Sequence, residues 1–281
     1  MTYIQALLMG IIQGLAEFLP ISSSAHIVLT SYLYKVFTGS EITMGGNEEI
    51  FFDIVIHFGT LIAVLIYFRK DIAKIIYDFF KGLKEKDYSS NRVKLPLYIL
   101  LGTFITCCVV FPLKKLTENL LSAPDVIGLL LLVTAIILFA SEIIAKKFAH
   151  KTKEPTLLTA IITGLAQGLA IFPGISRSGA TISAGMLTGL DRVSCARYSF
   201  LLSIPIIIGA TFVYPFFELS GNEFVSLNWG AMLVGFLSSA IVGFLCVKYF
   251  MKFISKYSMK VFAYYCAVVG VAMFVFFRFV V

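Results

Sequence analysis

The sequence predicts an all-α polytopic membrane protein built as an inverted repeat, each half a re-entrant helical hairpin followed by three transmembrane helices. Three observations carry this. The chain is 59% hydrophobic and only 14% charged, with a mean hydropathy of +0.92, too apolar for a soluble domain of 281 residues. Six apolar runs are long enough to cross a hydrocarbon core of about 30 Å. A broken, serine-rich segment also occurs twice, 154 positions apart.

In chain order, the first unit opens with two short apolar stretches, about 3–18 and 23–38, separated at Leu19-Pro20. Neither is long enough to cross comfortably, and together they predict a hairpin that enters and leaves on one side. Full spans follow at roughly 50–68, 95–113 and 123–145. The second unit repeats the plan: short stretches at about 157–172 and 177–190, broken at Pro173-Gly174, then spans at roughly 196–217, 229–251 and 261–281. The whole is one integral membrane domain, 1–281, with repeat one at about 1–147 and repeat two at about 155–281. Three spans per unit is an odd number, so the second unit starts on the opposite side from the first.

Charge agrees with that topology. The segments 69–94, 146–155, 191–197 and 248–260 hold eighteen of the 23 Lys and Arg residues, and the topology puts all four on one side. The loops at 39–49 and 218–228 carry Glu41, Glu48, Glu49, Glu218 and Glu223 without a Lys or Arg. By the positive-inside tendency the basic side is cytoplasmic. The net charge of +7 therefore reads as membrane orientation, with membrane lipid and not nucleic acid as the partner. Cys107, Cys108, Cys195, Cys246 and Cys266 lie in or beside apolar segments without metal-ligand spacing and read as small packing residues. No basic stretch precedes the first apolar segment, so no cleavable signal is expected.

The duplicated segment holds the chemistry. Gln13-Gly-Leu-Ala-Glu-Phe-Leu-Pro-Ile-Ser-Ser-Ser-Ala25 aligns without a gap to Gln167-Gly-Leu-Ala-Ile-Phe-Pro-Gly-Ile-Ser-Arg-Ser-Gly179, with eight of thirteen positions identical. A proline break frees backbone groups that lipid cannot satisfy, so it must be buried in protein or line a wet cavity. Each second half-helix starts at the break, with Ser22, Ser23 and Ser24 on one side and Ser176, Arg177 and Ser178 on the other. Serine caps such starts, whose free N–H groups and positive dipole end bind anions. Two such ends with the Arg177 guanidinium suit a doubly phosphorylated group. Binding needs neither Glu17 nor His26, the polar residues particular to the first copy. Carboxylate, hydroxyl, imidazole and guanidinium together match the requirements of phosphoryl transfer. Gln13 lies one turn before Glu17 on the same face. Asp53 and His57, spaced i, i+4, share a face of the 50–68 span and read as a pair or as support for the site. Asp125 and Glu142 near span ends read as interfacial.

Glu17-Phe-Leu-Pro-Ile-Ser-Ser-Ser-Ala-His26 and Pro173-Gly-Ile-Ser-Arg-Ser-Gly-Ala-Thr181 together resemble the undecaprenyl-diphosphate phosphatase family, the bacitracin-resistance proteins of bacterial membranes. Asp53-Ile-Val-Ile-His-Phe-Gly-Thr60 also looks like a recurring stretch of that family. The resemblance implies hydrolysis of undecaprenyl diphosphate to undecaprenyl phosphate and inorganic phosphate in the bacterial inner membrane, recycling the lipid carrier for cell-wall synthesis. It further implies a divalent cation, Mg or Ca, with Glu17 as ligand, and a pocket open to the extracytoplasmic side. Gln13 stands where the family also uses Glu, which weakens a metal role at that position. The implied functional positions are Glu17, Ser22, Ser23, His26 and Arg177, with Ser176 and Ser178 flanking the arginine. The expected roles are Ser23 as nucleophile, Glu17 as base or metal ligand, His26 as acid or stabiliser and Arg177 as phosphate clamp. Gln13, Ser22, Ser24, Ser176 and Ser178 bind substrate. Two other schemes stay open, with His26 as nucleophile or with water activated at Glu17. A secondary transporter or lipid flippase shares the inverted-repeat layout, and a scaffold or channel would use the same polar breaks as lining. The sequence sets no oligomeric state, a homo-oligomer being one arrangement open to it.

Overall fold

The computed structural model describes residues 1–39, 47–118, 120, 123–147, 152–212 and 227–279. Among them are eleven helices and no strand: α1 (Tyr3–Ala16), α2 (Ser23–Thr38), α3 (Asn47–Tyr67), α4 (Arg69–Lys84), α5 (Asn91–Glu118), α6 (Pro124–Ile144), α7 (Leu157–Leu169), α8 (Arg177–Leu187), α9 (Arg192–Phe212), α10 (Trp229–Ile254) and α11 (Lys260–Phe279). Six of these, α3, α5, α6, α9, α10 and α11, are long and apolar enough to cross a membrane. The four short helices at the two breaks fall where the sequence places them. Residues Glu41, Glu218, Glu223 and Asn222, and the expected end of the 196–217 span, lie outside the described residues.

The hairpin helices pack across the halves. The α1 helix lies on α10 and α7 lies on α5, while α3 packs on α10 and α9 on α5. Glycines make both seams. Gly10-Ile-Ile-Gln-Gly14 meets Gly235, Ser238, Ser239 and Gly243, and Gly164-Leu-Ala-Gln-Gly168 meets Gly102, Thr106 and Val109. Gly10 and Gly14 stand 154 positions before Gly164 and Gly168, so the repeat also covers the residues that seat each hairpin. Small residues four apart let backbones approach closely, which is how helices associate where no water drives them together. The seam on α5 is also hydrogen-bonded: the Thr106 hydroxyl lies 3.0 Å from the Gly164 carbonyl and accepts from Gln167 Nε2 at 3.1 Å.

One expectation is corrected. Residues 69–84, within the segment expected to be a charged loop, form the helix α4. Its apolar residues recur at helical spacing: Ile72 and Ile75 pack against the core, while Ile76, Tyr77 and Phe80 stay exposed beside Lys70, Lys74 and Lys81. The charges that suggested a loop are one face of an amphipathic helix. Glu142, near the end of α6, is fully buried within the protein. It accepts from Arg192 Nη2 at 2.6 Å and from the Met259 amide at 2.8 Å, tying the end of α6 to the starts of α9 and α11. Asp125 is part-exposed and faces Arg278 at 3.8 Å.

Candidate active site

The two breaks are built alike. Ser22 caps α2 by accepting from the Ala25 amide at 3.4 Å, and Ser176 caps α8 by accepting from the Gly179 amide at 3.1 Å. Ser22 and Ser24 hydroxyls are 3.1 Å apart, Ser176 and Ser178 hydroxyls 3.2 Å apart. The breaks also touch. Ser178 Oγ donates to the Leu19 carbonyl at 3.1 Å, and the Gly174 amide donates to Ser24 Oγ at 3.3 Å. Thr134 of α6 holds the second break from behind, donating to the Gly174 carbonyl at 2.9 Å and accepting from the Ser176 amide at 3.0 Å. At the first break Ser22 has φ 69° and ψ 103°. A side chain there costs of order 1–3 kcal/mol, so the surrounding bonds must impose it.

Glu17 is the hub. It closes α1, is 8% exposed, and receives four groups. Arg177 Nη2 donates directly to Oε1. Ser23 Oγ donates to Oε2 at 3.0 Å and Gln13 Nε2 donates to Oε2 at 3.1 Å. His57 Nε2 stands 3.7 Å from Oε2. Ser23 and Arg177 are the first residues of their half-helices and occupy equivalent positions in the duplicated segment. One carboxylate is thus bridged by the same position of both copies. Arg177 Nη1 is buried without a hydrogen-bond partner, a donor left over on the guanidinium that an incoming phosphate oxygen can use.

These groups open onto a cavity of about 440 Å³ lined by Glu17, Ser22, Ser23, Ser24, His57, Ser176 and Arg177, with Lys114 and Thr117 from α5. Pro173, Ile175, Ile206 and Ile207 add apolar wall. Such a cleft, apolar with a few converging polar groups, is the usual form of a ligand site.

Most of the residues singled out from the sequence meet here. Gln13 touches Glu17, and Asp53 lies against His57, whose Nδ1 donates to the Asp53 carbonyl at 2.8 Å with Asp53 Oδ2 at 3.4 Å. Ser178 serves the join between the breaks. His26 is outside the cavity lining: Nδ1 lies 2.8 Å from the Ser22 carbonyl and Nε2 2.7 Å from the Tyr265 hydroxyl. The imidazole on the cavity is that of His57. Lys114, Thr117 and Tyr265 were not singled out. Lys114 and Thr117 lie at the far end of a long span, and nothing local in the sequence says which wall that end joins.

Among the described residues no group of three His, Cys, Asp or Glu side chains is placed to hold a metal, and among the residues lining the cavity Glu17 is the one carboxylate. Beside it, Gln13 Oε1 is a buried oxygen without a hydrogen-bond partner. A carboxylate with a neighbouring amide oxygen fits a hard ion that keeps water and substrate phosphate as its remaining ligands, as Mg²⁺ does.

A family model described as bacitracin resistance protein BacA matches residues 6–272. An undecaprenyl-diphosphatase of Halothermothrix orenii is 42% identical over 272 residues, 96% of each chain. Another, of Korarchaeum cryptofilum, is 40% identical over 276 residues, 95% of this chain and 97% of the relative. A third, of Geotalea daltonii, is 39% identical over 284 residues, 99% of this chain and all of the relative.

Proposed function

This chain belongs to the bacitracin resistance protein BacA family, and on that premise we propose that the cavity at the two breaks is its catalytic site. The protein is an undecaprenyl-diphosphate phosphatase: it releases inorganic phosphate and returns undecaprenyl phosphate, the activity named for relatives that match it over nearly their whole length. The observation that carries the site is the Glu17 carboxylate, bridged by the Ser23 hydroxyl and the Arg177 guanidinium on the cavity wall.

Each part has a task. Arg177 and the two half-helix starts take the terminal phosphate, and their positive ends match charge that spreads over its oxygens in the transition state. Ser23 Oγ attacks the terminal phosphorus while the bridging P–O bond breaks and its electron pair leaves on undecaprenyl phosphate. The Ser23 proton passes to Glu17 and then to the departing lipid phosphate. Water next breaks the phosphoserine bond, its proton returning through Glu17 to the Ser23 oxygen as inorganic phosphate leaves. A hydroxyl 3.0 Å from a buried carboxylate is the arrangement such a nucleophile needs. The same geometry speaks against His26 as nucleophile, because both its ring nitrogens are engaged away from the cavity. Glu17 and Gln13 would hold a Mg or Ca ion, which when bound supplies charge neutralisation to the diphosphate.

The re-entrant, inverted arrangement belongs to the same proposal. It is supported by the reciprocal seating of α1 on α10 and α7 on α5, and by the basic residues gathered on one side of the expected topology. The cavity is lined near the C-terminal ends of α5 and α9, by Lys114, Thr117, Ile207 and Ala210, the ends that this topology puts outside. That supports an opening on the extracytoplasmic face of the inner membrane, with the polyprenyl tail passing sideways into lipid. Purified protein given undecaprenyl diphosphate in detergent should release phosphate, lose activity with a chelator and regain it with Mg²⁺ or Ca²⁺. Substrate recovered unaltered would return the chain to the transporter reading, and activity indifferent to chelation would remove the cation.

A further inference from the structure

We propose that Tyr265 is a positioning residue for this reaction: its hydroxyl donates to Nε2 of His26 and holds the ring whose Nδ1–H grips the Ser22 carbonyl, and so keeps Ser23 aligned on Glu17. The proposal rests on the reading of the first break as the catalytic site. It begins from the backbone. Ser22 and Lys86 are the only non-glycine residues with positive φ among those described, and Lys86 sits in an exposed turn. Ser22 sits immediately before the proposed nucleophile, so whatever holds its peptide also aims Ser23.

The carbonyl of Ser22 is held by His26, through the Nδ1 atom at 2.8 Å and the backbone amide at 3.4 Å. A carbonyl oxygen only accepts, so Nδ1 carries a hydrogen. In a neutral imidazole the other nitrogen is then an acceptor, and the Tyr265 O–H at 2.7 Å is its donor. The two rings are stacked, 12° from parallel with centroids 5.6 Å apart, which fixes the hydroxyl over Nε2. The next residue of α11, Cys266, places its Sγ 3.5 Å from the Pro20 carbonyl. Consecutive residues of the last helix therefore brace both the break and the histidine that shapes it. The Ser22 carbonyl, which can only accept, sets the Nδ1–H form of the ring, and the Tyr265 hydroxyl completes it by donating to Nε2 and holding the imidazole in place. His26 then has no N–H directed at the cavity, and its contribution is the shape of the break.

Tyr265→Phe keeps the stacked ring and removes only the hydroxyl. The expected result is a fall of about five- to tenfold in kcat, the size of one lost neutral hydrogen bond, with KM within twofold of wild type. A second measurement is independent of turnover. The chain has three histidines, so ¹⁵N-histidine NMR of the protein in detergent resolves the His26 ring. Its Nε2 signal should shift on Tyr265→Phe as that nitrogen loses its donor, and the Nδ1–H signal should broaden as the ring loses its second anchor. A third is coupling: in a His26→Ala background, Tyr265→Phe should add nothing. Unchanged ring signals in Tyr265→Phe, wild-type kcat, or an effect that adds in full to His26→Ala would each overturn the proposal. Absence of phosphate release by the wild-type protein would instead overturn the catalytic reading, and the NMR measurement would still decide the His26–Tyr265 contact.

Discussion

Glu17 and Arg177, 160 residues apart, form a direct ion pair where the two breaks meet. The same carboxylate accepts from Ser23, which occupies in the first copy of the duplicated segment the position Arg177 occupies in the second. Duplication supplied two helix starts, and divergence at one position made one start a hydroxyl and the other a cation. The pair is only slightly exposed, with Glu17 at 8% and Arg177 at 18%, so removing either partner leaves a desolvated charge behind.

Lysine at position 177 keeps the charge and loses the planar fork that serves Glu17 with one nitrogen and has Nη1 left for phosphate. Arg177→Lys should lose roughly 10² or more in kcat if the clamp acts in the transition state. Phosphate release measured beside a thermal melt checks this. Near-normal turnover would make Arg177 an orientation anchor.

Ser23→Ala removes a hydroxyl and leaves the Ser22 cap, the free N–H groups and Arg177 in place. Turnover should fall to background while lipid diphosphate still binds. If Ser23 only contacted phosphate, the loss would be about 1–2 kcal/mol, roughly ten- to thirtyfold. A folded variant keeping a tenth of wild-type turnover rules out the serine nucleophile.

The glycine seams should be intolerant of any side chain. A Cβ on Gly10 would stand 2.0 Å from Ser238 Oγ and 2.5 Å from the Gly235 carbonyl, and one on Gly164 2.7 Å from the Gly102 carbonyl. Gly10→Val and Gly164→Val should each destabilise the protein by about 1–3 kcal/mol or prevent its accumulation, read as a lowered melting temperature in detergent. Gly209→Ala, with nothing within 4 Å of its Cβ, should melt at or slightly above wild type.

Orientation can be read by labelling. In a background without the five native cysteines, one introduced at Ser89 should resist an impermeant thiol reagent in intact cells, and one at Asn47 should react. Equal labelling of both would remove the inverted topology.

The sequence made the long helices legible because a span must be continuously apolar, and it exposed the breaks because proline and serine have no other reason to recur inside such segments. Through the contrast between the two copies it pointed to Glu17, His26 and Arg177, of which Glu17 and Arg177 line the cavity and His26 does not. It did not show α4, because the charges of Lys70, Lys74 and Lys81 outweigh its apolar stripe in any window average. His57 read more readily as the partner of Asp53 than as a cavity residue, since i, i+4 spacing reports a neighbour and not what lies opposite. Tyr265 carried no signal among 13 tyrosines, because its importance comes from a contact 239 residues away.

The seat of α1 lies on α10, and that of α7 on α5. A nascent chain interrupted before Trp229 has its first hairpin already made but nothing for Gly10 and Gly14 to press against. Neither half is thus a unit of assembly: each is completed by a groove that the other provides. Glu17 and Ser23 meet within the first break, and Arg177 joins them from the second. Fragments covering 1–147 and 155–281 should each be idle and prone to degradation alone, and should recover phosphate release when made together in one membrane. Competence on the proposed reading therefore needs both halves, the first bringing the carboxylate and hydroxyl and the second the guanidinium and the seat of α1.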